Sequence, residues 1–129
     1  MVNSEILNRK DPLTGFHTKE GLNEYLASQL TAVYEKVKHL SVIILDLDKF
    51  KEINDTHGHM VGDDALRYFS MVINTVLKGQ HFVARYGGDE FVIVMPDSLD
   101  GWDSLDVAAC IKEALNKEKF YTEIGRAHV

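Results

Sequence analysis

A chain of 129 residues that is 45% hydrophobic can bury one real core and is too short for two domains of ordinary size. Its 20 acidic residues against 14 basic ones leave a formal charge of −6, which excludes a general nucleic-acid surface, because sequence-independent binding to phosphates needs clustered Lys and Arg. One cysteine, Cys110, excludes an internal disulfide and suits a reducing cytoplasm; no run reaches the roughly eighteen apolar residues of a membrane span, and Met1 to Lys10 lacks a signal peptide's apolar core.

Residues 1–10 read as the end of a linker that feeds Asp11. Thr18 to His39 carries Leu22, Leu26, Leu30, Val33 and Val37 at three- and four-residue steps, the spacing of an amphipathic helix. Ser41 to Leu45 is a continuous apolar run of the buried-strand type and ends in Asp46-Leu47-Asp48. A short helix over Lys49 to Asn54 comes next, ended by the loop Asp55-Thr56-His57-Gly58. Gly62-Asp63 opens a longer helix to Leu77, with Ala65, Leu66, Phe69, Val72, Ile73, Val76 and Leu77 as its buried stripe. Asp63 falls in its first turn, where the helix dipole favours a carboxylate in any case. His81 to Arg85 and Phe91 to Met95 are β-rich runs joined at Gly87-Gly88, a hairpin whose turn calls for positive φ. Asp97 to Asp103 reads as a loop anchored by Trp102, and Leu105 to Lys117 as a helix through Val107, Ala108, Ile111, Ala114 and Leu115. No internal repeat or low-complexity tract interrupts this order.

Two groups of acids carry the chemistry. Asp89 and Glu90 follow the glycine pair, so hard oxygen ligands for Mg²⁺ stand beside a backbone that a metal-bound triphosphate can approach closely. Glycine-acid turns are common, and by themselves these residues leave a bland surface hairpin equally open. Asp46 and Asp48, spaced i, i+2 at the strand end where open sheets place ligands, can share a metal. An EF-hand is excluded, since Phe50 stands at the next ligand position and Lys51 where the central glycine belongs. Gly58 and Gly62 match neither the Walker nor the Rossmann spacing. His57 and His59, without a cysteine or third ligand nearby, are weak for zinc and read as loop residues. Phe50 and Tyr86 read as packing aromatics, and Arg85 as half of a structural ion pair, with phosphate contact as the alternative.

In order and in spacing, Asp11-Pro12-Leu13-Thr14-Gly15-Phe16, the stretch from Asp46 to Asp55, Gly58-His59, Gly62-Asp63 and Arg85-Tyr86-Gly87-Gly88-Asp89-Glu90-Phe91 closely resemble the GGDEF domain family, the diguanylate cyclases. The resemblance runs from about Asp11 through Met95. It implies an α/β (α+β) palm-like nucleotidyl cyclase fold, with a mainly antiparallel central sheet flanked by helices. The implied reaction condenses two GTP into cyclic di-GMP and releases pyrophosphate. Each domain binds one GTP, so catalysis needs a second GGDEF domain face to face, a homodimer. Carried over by position, Asp46, the Leu47 carbonyl and Asp89 hold Mg²⁺ (or Mn²⁺), with Glu90 beside them as a further acidic ligand or proton acceptor. Asn54 and Asp63 read the guanine: a carboxylate accepts from the N1 and N2 donors that separate guanine from adenine, and an amide bonds in both directions. Gly87 and Gly88 leave room for phosphates, and Phe50 and Lys51, at the helix start beside Lys49, belong to the substrate-binding positions. The competing reading is a GTP- or cyclic di-GMP-binding regulatory module without turnover, which the intact glycine-acid hairpin disfavours. Lys78 and His81 stand where the family's product-inhibition site has Arg and Asp, which argues against inhibition there.

The family pattern continues through another strand and a basic helix, whereas this sequence stops at Val129. Glu123 to Val129 resembles the translation of a sequencing adapter. Residues 11–122 are therefore read as a partial GGDEF domain, 123–129 as a non-native tail, and the fragment as poorly active even where its parent is a cyclase.

Overall fold

The computed structural model describes residues 10–36, 40–47, 50–78, 81–96 and 104–117. In chain order the elements are α1 (Lys19–Lys36), β1 (Leu40–Asp46), α2 (Phe50–His57), α3 (His59–Leu77), β2 (Phe82–Arg85), β3 (Glu90–Pro96) and α4 (Ser104–Lys117). The strands form one antiparallel sheet in the order β1-β3-β2. Its register pairs Ile43 with Ile93 and Leu45 with Phe91, and Val83 with Ile93 on the other side.

The central position of β3 explains its unbroken apolar run. Phe91 to Met95 are all buried, because a strand covered on both faces has no solvent side to alternate toward. On one face Ile43, Phe91, Ile93 and Met95 pack against Leu66, Phe69 and Ile73 of α3 and Val107, Ile111 and Leu115 of α4. Burying each such side chain stabilises the fold by about 1.5–3 kcal/mol. The other face is covered by Leu22, with Tyr25 and Leu26, over Ala84, Val92 and Val94.

Coverage of that second face corrects the expectation of a fully buried first strand. The α1 cluster reaches β2 and β3, while on β1 Val42 and Ile44 remain 46% and 69% exposed. Leu30, expected in the apolar stripe of α1, is exposed as well. Thr18 is not in the helix but precedes it, and its Oγ1 accepts the Gly21 N–H at 3.2 Å. The expected end at His39 lies outside the described residues.

Two helix boundaries also differ. α2 continues to His57 and α3 begins at His59, so Gly58 alone makes the junction in place of a loop from Asp55. It does so at φ 91°, a backbone angle glycine adopts at little cost. Its N–H bonds the Asn54 carbonyl at 2.8 Å, which closes the last turn of α2. The stripe of α3 runs as expected, from Ala65 through Leu77, with Val76 partly buried. The expected loop around Trp102 falls on residues 97–103, outside those described.

Before α1 the chain folds into a tight turn. The Thr14 backbone N–H and hydroxyl both donate to Asp11 Oδ2, at 2.9 and 2.8 Å, and Gly15 takes φ 76°. His17 then lies along the outer edge of β2, donating to the Val83 carbonyl and accepting from the Arg85 N–H, each at 2.9 Å.

Candidate active site

The register of the sheet decides which acids meet. Asp46, the last residue of β1, sits directly across from Glu90, the first of β3. Directly opposed residues of an antiparallel pair hold their Cβ atoms about 4.5–5.5 Å apart on one face, close enough to oppose the two charges. Beyond the strand, the Leu47 N–H donates to the Asp89 carbonyl at 3.1 Å, which ties the upstream acidic segment to the hairpin. Asp46, Leu47, Asp89 and Glu90 are thereby gathered at one sheet corner. Asp48 and Lys49 lie outside the described residues.

The hairpin turn is wider than a two-residue loop. The Tyr86 N–H reaches the Glu90 carbonyl at 2.8 Å, leaving Gly87, Gly88 and Asp89 as the tip. Neither Gly87 nor Gly88 has the positive φ that a two-residue turn demands, because the longer span reverses the chain without it. Glycine matters here through missing side chains instead. A Cβ on Gly87 would come within 2.9 Å of Glu90 Oε1, so the Glu90 carboxylate folds back over that glycine, while Gly88 faces open space.

The donor set is of the hard-oxygen kind that suits a divalent cation. Among the described residues no three Asp, Glu, His or Cys side chains form a ready-made cage. Mg²⁺ is characteristically held by one or two carboxylates together with substrate phosphates and water rather than by such a cage. Two like charges opposed across a strand pair repel, and a cation between them relieves the repulsion. His57 and His59 are exposed on either side of Gly58 and join no such group.

Asn54 and Asp63 come from the α2–α3 pair. Asn54, half-buried, reaches over Gly62 of α3, next to Asp63 in sequence. Since α3 starts at His59, Asp63 lies beyond the first turn, which removes the helix-dipole reason for an acid there. Asp63 is exposed. Phe50 packs partly against the core from the start of α2, and Lys51 is exposed.

Arg85 turns out to be a brace. Its Nη2 and Nε donate to the Gly88 carbonyl at 2.8 and 3.2 Å, and its Nη1 pairs with Asp11 at 3.3 Å. Beside it, Lys19 Nζ stands 4.9 Å from the centre of the Tyr86 ring, a cation–π contact. Burial would raise the Asp11 carboxyl, but its two Thr14 hydrogen bonds and the Arg85 charge outweigh that and hold it below the ordinary value. The ion-pair reading of Arg85 is the one observed, but Asp11 as its partner had no local signal, being 74 residues away. Lys78 caps α3 in the left-handed region at φ 55°, and burial pushes the His81 imidazole down.

Comparison with known proteins supplies the family and the fold. The family model described as "Diguanylate cyclase, GGDEF domain" matches residues 8–128. Response regulator PleD of Caulobacter vibrioides is 34% identical over 120 residues, 90% of this chain and 25% of that protein. Diguanylate cyclase DosC of Escherichia coli is 45% identical over 86 residues, 67% of this chain and 18% of that protein. The chain thus spans a quarter or less of those relatives. Among solved structures, the GGDEF domain of TpbB (YfiN) from Pseudomonas aeruginosa superposes with a TM-score of 0.76 at 34% identity, covering 84% of this chain and 63% of that one. The GGDEF domain of DgcB from Caulobacter crescentus, in complex with c-di-GMP, gives 0.73 at 28% identity, covering 92% and 69%. The antiparallel sheet flanked by helices is therefore the palm-like cyclase fold, and the chain belongs to the GGDEF family of diguanylate cyclases.

Proposed function

We propose that this chain carries one half of a diguanylate cyclase active site, which binds a single Mg²⁺–GTP and completes the reaction against a second GGDEF domain in a homodimer. The observation that carries the proposal is the register that sets Asp46 across from Glu90, with Leu47 hydrogen-bonded to Asp89. Asp46, the Leu47 carbonyl, Asp89 and Glu90 would hold Mg²⁺ (or Mn²⁺), which when bound neutralises phosphate charge and makes the 3′-hydroxyl easier to deprotonate. Asn54 and Asp63 take the guanine edge. The open backbone at Gly88 and the start of α2 at Phe50 and Lys51 receive the phosphates.

In each step the 3′-oxygen of one GTP forms a bond to the α-phosphorus of the other and pyrophosphate leaves. Glu90, exposed at the same sheet corner, would take the hydroxyl proton. Two such steps in opposite senses close the ring, so two GTP yield one cyclic di-GMP and two pyrophosphates. No described helix is long and apolar enough to cross a membrane, and a GTP-consuming reaction belongs to the cytoplasm.

The test supplies GTP and Mg²⁺ to a protein containing this domain and measures cyclic di-GMP and pyrophosphate together. Asp46→Asn and Glu90→Gln should each abolish turnover while leaving the circular dichroism spectrum unchanged. Near-normal turnover in either variant refutes the site. GTP binding without product, under conditions where the protein dimerises, would instead support a regulatory module.

A further inference from the structure

Gly62 is a glycine with no backbone reason to be one. It lies inside α3, its φ is not in the left-handed region, and its N–H makes a bond to the Gly58 carbonyl at 3.2 Å. A glycine in a helix interior costs about 0.5–1 kcal/mol relative to alanine. What the position requires is space. A Cβ at Gly62 would fall onto Asn54 Oδ1 and within 2.8 Å of Asn54 Cγ. The side-chain amide of Asn54 thus occupies the volume that any other residue at 62 would fill.

From this we infer that Gly62 is a positioning residue for nucleotide recognition: it seats the Asn54 amide against α3, so that Asn54 and Asp63 address one guanine edge together. The inference rests on the guanine reading proposed above. The backbone around the seat is held firmly, since Gly58 turns the chain at φ 91° and its N–H closes on the Asn54 carbonyl. Adding a methyl group therefore leaves one easy response, rotation of the Asn54 side chain out of its seat. That response is cheap for the fold and expensive for recognition, because Oδ1 and Nδ2 are the atoms that meet the base. The usual cost of crowding a helix interface is thereby separated from the functional loss. Gly62→Ala should fold at least as well as the wild type.

The experiment compares the wild type, Gly62→Ala, Asn54→Ala and the double variant. In the unliganded chain the side-chain NH₂ resonances of Asn54 are followed by NMR, and in a protein containing this domain the affinities for Mg²⁺–GTP and Mg²⁺–ATP are measured by calorimetry. The expected result is an Asn54 NH₂ pair that moves in Gly62→Ala, an unreduced melting temperature, and GTP affinity about tenfold weaker, the worth of a displaced hydrogen-bonding amide, with ATP affinity unaffected. On the Asn54→Ala background Gly62→Ala should add nothing. An unmoved NH₂ pair overturns the inference, as does a further loss of GTP affinity on that background, which would mean that Gly62 acts through helix packing. If Gly62→Ala weakens nothing while Asn54→Ala does, Gly62 has no role and the guanine reading survives. If Asn54→Ala and Asp63→Ala both leave GTP affinity unchanged, the guanine reading itself fails and the inference falls with it.

Discussion

Arg85→Ala should lower the stability of the 129-residue chain by about 2 kcal/mol and loosen the tip of the hairpin. Two contributions make up that figure. Two donors leave the Gly88 carbonyl, from 2.8 and 3.2 Å; that glycine is exposed, so water takes over and the net loss is about 1 kcal/mol. The ion pair to Asp11 at 3.3 Å is lost as well, and because its side chains are only 21% and 19% exposed it contributes about 1 kcal/mol, the top of the range for surface pairs. For a chain of this size that total lowers the melting temperature by roughly 6–8 °C. Thermal unfolding of the wild type, Arg85→Ala, Asp11→Asn and the double variant, followed by circular dichroism, measures both the loss and the coupling. Asp11→Asn retains an acceptor for the Thr14 N–H, so it isolates the charge. The Gly87 and Gly88 amide resonances should broaden in Arg85→Ala, since the guanidinium is what fixes the Gly88 carbonyl. If the two single losses add to within about 0.3 kcal/mol in the double variant, Arg85 and Asp11 are not coupled and the ion-pair half of the brace does not exist.

Three further outcomes follow from the same structure. Asp11 has a folded carboxyl value depressed below its ordinary 3.8, so its contribution is complete above that value and is lost as the pH falls through the lower folded one. Urea midpoints should fall less steeply below about pH 4 in Asp11→Asn than in the wild type, and parallel acid limbs would contradict this. Glu90→Gln removes one of two like charges opposed across the register and should raise the metal-free unfolding free energy by about 0.5 kcal/mol, seen as a higher urea midpoint, while weakening Mn²⁺ binding followed by electron paramagnetic resonance. A midpoint that falls would mean the charges are not in conflict. Lys78 caps α3 at φ 55°, so Lys78→Gly should stabilise the chain by about 1 kcal/mol, and a lower melting temperature would show that its side chain matters more than its backbone.

Local periodicity made much of the fold legible. The 3.6-residue spacing from Ala65 to Leu77 identified the face of α3 that packs on the sheet, and the run Phe91 to Met95 identified a strand, which the structure buries on both faces. The same reasoning misjudged β1, because an apolar run does not say which of its faces another element reaches; Val42 and Ile44 lie beyond α1. It misplaced the α2–α3 junction, because one glycine at φ 91° joins the two helices where four residues were allowed. It assigned positive φ to Gly87 and Gly88, since turn length is set by the pairing of Tyr86 with Glu90 rather than by the glycines.

The site divides along the same line. The residues proposed to carry chemistry were read from the sequence alone: Asp46, Asp89 and Glu90 as hard ligands, Asn54 and Asp63 as hydrogen-bonding groups, all within motifs of a few residues. Their conjunction was decided only by the tertiary structure. Strand register brings Asp46 to Glu90 across 43 intervening residues, a packed helix pair brings Asn54 over Gly62, and a turn against the edge of β2 brings Asp11 to Arg85. The physical reason is that side-chain chemistry and helix or strand period are local properties of the chain, whereas proximity between distant residues depends on which apolar faces bury one another and in what register.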